Sequence, residues 1–247
     1  MDEKIHFIDA GTAEITKEFL PDGSQKVSFT DQGEACLAVI LNEPRPRMFG
    51  EIQLIVKDLE LTQASIDAAL QICLALVNKP IDDSFSKFSS NDVLHVLLWS
   101  SYAAAVITYG KCFAQARGRQ ARFPEQKLGR FLSEELLEIH RTVIETRNQS
   151  IAHGGISSNE YGRAVMLLDP KRVKKPAISY HCSFQSAPTP EFLVKFLELT
   201  SKCLDFINEQ RKNDSQQWFE QEIKNGDLEP YYKEASESVI YKNDKQL

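Results

Sequence analysis

The chain lacks the features that mark several classes of protein. Its five cysteines, at positions 36, 73, 112, 182 and 203, form no CxxC pair. Their odd number and wide spacing argue against a disulfide framework or a zinc ribbon and favour a reducing compartment. No positively charged segment leads into an apolar one at the start, so we expect no secretory leader and a cytoplasmic location. No period of about 20–50 residues repeats, which excludes a solenoid.

Basic charge and long apolar runs are also scarce. The 247 residues include 29 Lys and Arg against 35 Asp and Glu, a net charge of −6, which counts against sequence-independent binding to duplex DNA. The longest apolar stretch, residues 93–110, contains His95, two serines and a threonine and is short for a membrane span. It therefore predicts a buried helix and no membrane association. The length suffices to bury a core as one domain with additions or as two small domains.

The first fifty residues are predicted to form a small β-rich segment. Residues 14–20 and 26–30 are alternating runs around Pro21-Asp22-Gly23, a pattern typical of a β-hairpin. Residues 34–41 predict a third strand. Pro44 and Pro46 then interrupt the pattern, because proline is excluded from helix interiors. We place a domain boundary here, at residue 50.

Four helices are predicted between residues 51 and 226. Apolar spacing places helix one at about 58–78 and helix two at about 91–117, with N-cap candidates at residues 90–92. Helix three opens at Ser133 and runs to His153, before Gly154-Gly155. Helix four follows the N-cap Thr189 and Pro190 and continues toward Asn225-Gly226. Residues 163–169 and 177–184 predict a β-hairpin between helices three and four, and residues 227–247 a poorly ordered tail.

Helix two is apolar almost all round. Val93, Leu97, Ala104 and Ile107 lie on one side, whereas Trp99, Tyr102, Val106 and Phe113 lie on another. Such a helix is buried on both faces. One face can fill the core of a bundle, and the other either forms a homodimer interface or lies under the N-terminal strands.

Helix three places two polar side chains on its inner face. At 100° per residue, its apolar stripe is centred on Arg147, and His140 lies two turns earlier on the same side. A guanidinium facing a core costs several kcal/mol unless it is paired or faces a polar cleft. Arg147 is therefore the residue that the fold alone explains least.

Asn148 and His153 flank the same stripe. His153 is predicted to end helix three, where the negative end of the helix dipole favours the protonated imidazole. An imidazole in that position is suited to transferring protons near neutral pH.

Arg147-Asn148 followed by His153, with five intervening residues, resembles the motif of the HEPN superfamily. That motif comprises Arg, a polar residue that is often Asn, and a His after four to six residues, at the end of the third helix of a four-helix set. The resemblance covers residues 58–225. It implies a mainly α fold: a HEPN-like antiparallel four-helix bundle, preceded here by the β-rich segment and carrying the hairpin between helices three and four.

Many HEPN proteins are metal-independent endoribonucleases, and the resemblance implies roles for the three motif residues. Arg147 would stabilise the charge of the pentacoordinate phosphate, His153 would act as general acid or base, and Asn148 would orient the His or bind a phosphate oxygen. Two copies of the motif face each other across a dimer cleft in the family, which would supply a second His. The implied setting is a toxin or phage-defence system, with RNA as substrate and an antitoxin or another protein as partner.

Further residues are candidates for contacts with RNA. The basic hairpin loop carries Lys171, Arg172, Lys174 and Lys175, and His95 is expected at the same end of the bundle as His153. No cofactor is predicted. No metal site is predicted either, since His181-Cys182 has no further ligands at suitable spacing.

Other interpretations remain open. Arg147 could pair with Asp83 or Asp92, His153 could merely cap its helix, and the basic loop could be a solvated turn. The alternative function is a non-catalytic, dimeric HEPN-like interaction module that binds a protein or a nucleotide. A third is a bundle that binds a small molecule through His140 and Arg147.

Overall fold

The computed structural model is mainly helical, with an antiparallel sheet built from both ends of the chain. It describes residues 13–77, 93–114, 121–151, 161–171, 175–183, 188–226 and 228–241. Two compact units are distinguished by their internal contacts. One contains the residues up to Arg47 and those from Asn213 onward, and the other is Met48–Lys212.

The sheet of the first unit is organised around its central strand. β1 (Glu14–Phe19) and β2 (Gln25–Asp31) form the predicted hairpin, and Gly23 takes a positive φ of 80° in its turn. β3 (Glu34–Cys36) pairs with the second half of β2, and β6 (Ser238–Tyr241) pairs with its first half. Two strands from distant parts of the chain thus share one edge of β2.

Two expectations for this unit are wrong. The third strand is shorter than predicted and is followed only by an isolated bridge between Ala38 and Ser236. The expected disordered tail instead forms α5 (Glu229–Glu234) and β6, because the alternating Val239 and Ile240 place one side chain inward and one outward.

The helices begin and end at these residues: α1 Pro44–Val77, α2 Val93–Phe113, α3 Glu134–Thr146 and α4 Pro190–Asn225. α1 starts well before residue 58, since Pro44 and Pro46 occupy its first turn, where backbone N–H groups have no intrahelical partner. The expectation that these prolines interrupt helix formation is therefore wrong. Ser133 and Thr189 cap α3 and α4 by accepting hydrogen bonds from the backbone N–H of Leu136 and Phe192, as predicted.

Two short elements join the helices of the second unit. A 3-10 helix, Glu125–Arg130, precedes α3, and β4 (Tyr161–Leu167) pairs with β5 (Ala177–Ser183) in the predicted hairpin. The α-helical part of helix three ends at Thr146, before the predicted His153, and the chain continues as a π-helical segment, Arg147–Ile151. The predicted caps at residues 90–92 and 154–155 lie outside the described residues.

One hydrophobic core joins the helices of the second unit. Its fully buried side chains come from all four long helices and include Leu59, Val106, Val143 and Phe196. The 3-10 segment contributes Leu128, and the residues just before it contribute Phe123. By length and composition α1 and α2 are apolar enough to cross a membrane, a test that core helices of water-soluble proteins also pass. Both contribute residues to this core.

Candidate polar cleft on helix α3

The structure places the inner face of α3 as the helical wheel predicts. Leu136, His140 and Val143 are buried, and Arg147 is half-buried at the start of the π-helical segment. A π-helical turn inserts an extra residue into the helix and commonly marks functional positions. Here that segment begins with the Arg147-Asn148 pair.

Arg147 lies across α2 at its glycine. A β-carbon built on Gly110 would come within 2.3 Å of Cδ and 2.8 Å of Nε of Arg147, so the arginine stem packs directly on the α2 backbone. The guanidinium donates a hydrogen bond to Oδ1 of Asn148 at 2.9 Å. Within the described part of the chain, no carboxylate forms an ion pair with Arg147. Asp83 and Asp92, its alternative partners, lie outside that part.

His140 belongs to a buried chain of hydrogen bonds. Its Nδ1 lies 2.9 Å from the hydroxyl of Tyr109, and its Nε2 lies 3.3 Å from Oε1 of Glu125. A carboxylate only accepts hydrogen bonds, so the proton of the neutral imidazole is assigned to Nε2, which donates to Glu125. Nδ1 then accepts a hydrogen bond from the hydroxyl of Tyr109, whose pKa burial raises well above its ordinary value.

Burial also sets the charge of His140. Desolvation lowers its pKa, and the hydrogen bond and negative charge of Glu125 oppose that shift. The imidazole is therefore neutral at pH 7. Burial also raises the pKa of the nearby core thiol of Cys203 to about 12. Tyr109, His140 and Glu125 form a polar chain that runs from the core to the surface.

A cleft of 340 Å³ opens above this chain, and we call it the α3 cleft. Its lining residues, most of which have polar side chains with long apolar stems, come from the 3-10 helix, α3 and the π-helical segment: Glu125, His140, Arg141, Ile144, Glu145, Asn148 and Gln149. A second cleft of 370 Å³ shares Glu125 and is also lined by Phe113, Arg122, Phe123 and Gln126. Hydrogen-bonding groups and aromatic rings thus lie side by side next to the Arg147-Asn148 pair.

The charge of the α3 cleft is not strongly positive. Arg141 is bound by Glu134 and Glu138 at 3.0 and 2.9 Å, and Glu145 accepts a hydrogen bond from Gln149. Glu125 and Glu145 add two carboxylates to the lining. Among the described residues at this site, the guanidinium of Arg147 is a cationic group that no described carboxylate neutralises.

The predicted site residues are only partly brought together. Asn148 lines the α3 cleft and Arg147 adjoins it, whereas His153 lies outside the described residues. His95 is half-buried in the first turn of α2, and the helix from there to Gly110, where Arg147 packs, spans roughly 22 Å. The structure thus does not place His95 beside Arg147. Lys171 and Lys175 are exposed on the hairpin, and Arg172 and Lys174 lie outside the described residues.

The segment between α2 and α3 lies closer to the motif than expected. In an antiparallel bundle the segment between helices two and three is expected at the end far from Arg147, yet its Glu125 lines the same cleft as Asn148. A backbone hydrogen bond holds the residues before the 3-10 helix at the last turn of α2: the N–H of Phe123 donates to the carbonyl of Cys112 at 2.7 Å. A single glycine within the alanine-rich α2 suggests a packing or functional reason, and this could have drawn attention to Gly110. No comparable sequence signal marks Glu125 or Tyr109.

No set of metal ligands is apparent in the described ranges, since no three His, Cys, Asp or Glu side chains there are placed to hold an ion. Comparisons of the chain with protein-family models, with curated proteins and with solved structures find no match.

Proposed function

We propose that the protein is a HEPN-like, metal-independent endoribonuclease of toxin or phage-defence type. The observation that carries the proposal is the setting of Arg147, whose stem crosses α2 at Gly110 and whose guanidinium is held by Asn148 beside a polar cleft. An arginine kept for stability would pair with a carboxylate, and none of the described ones pairs with it. A guanidinium that Asn148 holds in place, and that none of the described carboxylates neutralises, is suited to bind a phosphodiester.

The proposed reaction uses the 2′-hydroxyl of the RNA as nucleophile. His153, as base, takes the 2′ proton while the 2′-oxygen forms a bond to phosphorus. The bond from phosphorus to the 5′-oxygen breaks, and a protonated imidazole supplies the proton of the leaving 5′-hydroxyl. Arg147 donates two parallel hydrogen bonds to the phosphate oxygens as their charge grows. The products carry a 2′,3′-cyclic phosphate and a 5′-hydroxyl.

Two imidazoles are needed for one turnover, and a homodimer supplies the second His153. One of the two apolar faces predicted for α2 is exposed: Val93 is 69% exposed, Leu97 47% and Ile107 43%. Ala104 lies between them and is also exposed. An apolar stripe along one helix supports self-association, because removing it from water is favourable.

The test is incubation of the protein with total RNA in EDTA. We expect cleavage to 2′,3′-cyclic phosphates, a loss of roughly 10²–10⁴-fold in His153→Ala, and impairment in Arg147→Lys, because an ammonium lacks the planar fork. Arg130→Lys, on an exposed arginine at the end of the 3-10 helix, is the matched control and should cleave normally. Cleavage that EDTA abolishes would contradict the metal-free reaction, and full activity in His153→Ala would contradict the residue assignment.

A second candidate, a non-catalytic interaction module that binds a protein or a nucleotide, is favoured by the charge of the α3 cleft. Two carboxylates line it, and its arginine at position 141 is neutralised by Glu134 and Glu138. A polyanion gains little there beyond Arg147. Wild-type dimer that cleaves none of a broad set of RNAs would favour this function over the first.

A further inference from the structure

A glycine in the interior of a helix needs a reason. Gly110 lies near the end of α2, a helix that carries alanines at positions 103, 104 and 105. Glycine destabilises a helix interior by roughly 1 kcal/mol relative to alanine, because it loses more backbone entropy on folding. Gly110 takes no positive φ, so the backbone conformation does not require it.

The space above Gly110 supplies the reason. A β-carbon there would lie 2.3 Å from Cδ, 2.8 Å from Nε and 3.3 Å from Cγ of Arg147. Contacts below 3.0 Å cannot be kept, so any larger residue would push the arginine stem away from α2. The absence of a side chain at position 110 thus creates a notch in which Arg147 lies.

The neighbouring residue of α2 fixes the same face of α3. Tyr109 bonds His140, and His140 lies two helical turns before Arg147. Two consecutive residues of α2 therefore position two polar side chains on one face of α3. Tyr109 forms a hydrogen bond with His140, and the notch at Gly110 holds the stem of Arg147.

We propose that Gly110 is a positioning residue: its notch holds the Arg147 stem so that the guanidinium reaches Asn148 and faces the bound phosphodiester. The steric part of this inference stands on the structure alone, and the role toward RNA rests on the proposed function. Gly110 itself touches neither substrate nor a reacting atom.

The experiment compares Gly110→Ala with Gly50→Ala in the full chain. Gly50 lies in α1, and a β-carbon there meets nothing within 4 Å, so it controls for the change of glycine to alanine in a helix. Displacing a binding group by about 1 Å can cost on the order of 10²-fold in rate. We expect Gly110→Ala to lose about 10²-fold in kcat with KM changed far less, and Gly50→Ala to match wild type.

Two measurements do not depend on RNA cleavage. The Nε–H resonance of Arg147, assigned by its absence in Arg147→Lys, should shift in Gly110→Ala and stay in place in Gly50→Ala. The melting temperature should fall in Gly110→Ala but rise when the same change is made in an Arg147→Ala background, because the clash is then gone and alanine favours the helix. Full circular-dichroism helicity in each variant would show that the fold is kept.

These readouts separate the two ways of failing. The notch hypothesis would be wrong if the Arg147 resonance did not move in Gly110→Ala. It would also be wrong if Gly110→Ala changed the melting temperature equally with and without the arginine. A shifted resonance with unchanged cleavage would overturn the positioning role. A shifted resonance in a protein whose wild type cleaves no RNA would keep the notch and overturn the proposed function together with the role toward RNA.

Discussion

A single tyrosine joins the core of the second unit to its polar cleft. Tyr109 is fully buried, and its ring packs edge-on against Phe196 and His140 with centroids 5.3 and 5.8 Å apart. Its hydroxyl provides the hydrogen-bond donor for Nδ1 of His140. A buried acceptor that loses its donor retains its full desolvation cost, so this hydroxyl matters more than an average hydrogen bond.

Tyr109→Phe removes that donor and keeps the ring. We expect the free energy of unfolding to fall by about 1–3 kcal/mol, since Nδ1 of His140 is left buried without a partner. Tyr180→Phe is the matched control, because Tyr180 is 83% exposed and should change stability little. Urea denaturation of both variants measures the difference, and equal stabilities would contradict the buried hydrogen bond.

The lowered pKa of His140 predicts acid sensitivity. In the unfolded chain the imidazole takes up its proton near pH 6.5, whereas the folded protein resists protonation until the pH is lower. Between these two values the unfolded state binds more protons, so stability is lost as the pH falls from 6.5 through the folded pKa. Above pH 6.5 His140 is neutral in both states, so it adds no pH dependence to the free energy of unfolding. The loss cannot exceed about 1.4 kcal/mol per pH unit.

The check is the free energy of unfolding of wild type and His140→Gln between pH 7.5 and 5.5. Glutamine can bond both Tyr109 and Glu125 but does not titrate, so the variant should show a shallower decline toward acid. Glu125 and Arg141, which act on His140 with opposite signs, are present in both proteins and cancel in the comparison. Identical pH profiles would show that the pKa of His140 is not lowered by folding.

At the scale of the element, the sheet of the first unit is completed by a strand from the end of the chain. Val239 of β6 is paired with Val27 of β2, and both side chains are buried. Its neighbour Ile240 is 51% exposed, because successive strand residues point to opposite faces.

This alternation gives a matched pair of variants. Val239→Ala should lower the stability of the sheet by on the order of 2 kcal/mol, because it leaves a cavity between β6 and β2. Ile240→Ala removes more atoms but from an exposed position, so it should cost much less. Protease sensitivity of the C-terminal segment measures both, and a larger effect of Ile240→Ala would mean that the register of β6 is wrong.

Local patterns predicted those elements whose signals lie within a few residues of each other. The hairpin at Asp22-Gly23 and the start of α4 at Thr189-Pro190 are examples, since turn and capping preferences act on neighbouring residues. The predicted start of α1 was wrong because proline is tolerated in the first turn of a helix, where Pro44 and Pro46 lie. The predicted tail was wrong because β6 forms only against the free edge of β2, which is distant in sequence.

Some residues of the candidate site could be predicted from the sequence, and others could not. The 3.6-residue period places His140 and Arg147 on one inner face of α3, because a helix repeats regularly. Nothing in the sequence around Glu125 or Gly110 connects them with that face. Their roles follow from the packing of the 3-10 helix and of α2 on α3, a pairing over a long sequence separation that periodicity does not encode.

At the scale of the whole molecule, α2 exposes an apolar stripe on one side within the described residues of the chain. Its inner side chains Tyr102 and Val106 are buried, as the two-faced pattern predicts. The opposite stripe of Val93, Leu97, Ala104 and Ile107 is exposed and ends at Lys111, which pairs with Asp58 of α1 at 3.0 Å. Exposed apolar stripes of this kind on a folded domain commonly mark association surfaces.

Introducing charge into this stripe tests the proposed homodimer. We expect wild type to sediment as a dimer at tens of micromolar, about the range in which a micromolar dissociation constant gives mostly dimer. Leu97→Glu combined with Ile107→Glu should sediment as a monomer with unchanged helicity, because each carboxylate would have to be buried without a partner. Phe19→Glu, at a side chain that is 79% exposed on β1, adds one such charge outside α2 and should remain dimeric.

Two outcomes would contradict this assignment. A wild type that is monomeric at these concentrations would remove the second His153 from the proposed reaction, and dissociation by Phe19→Glu alone would place the interface outside α2.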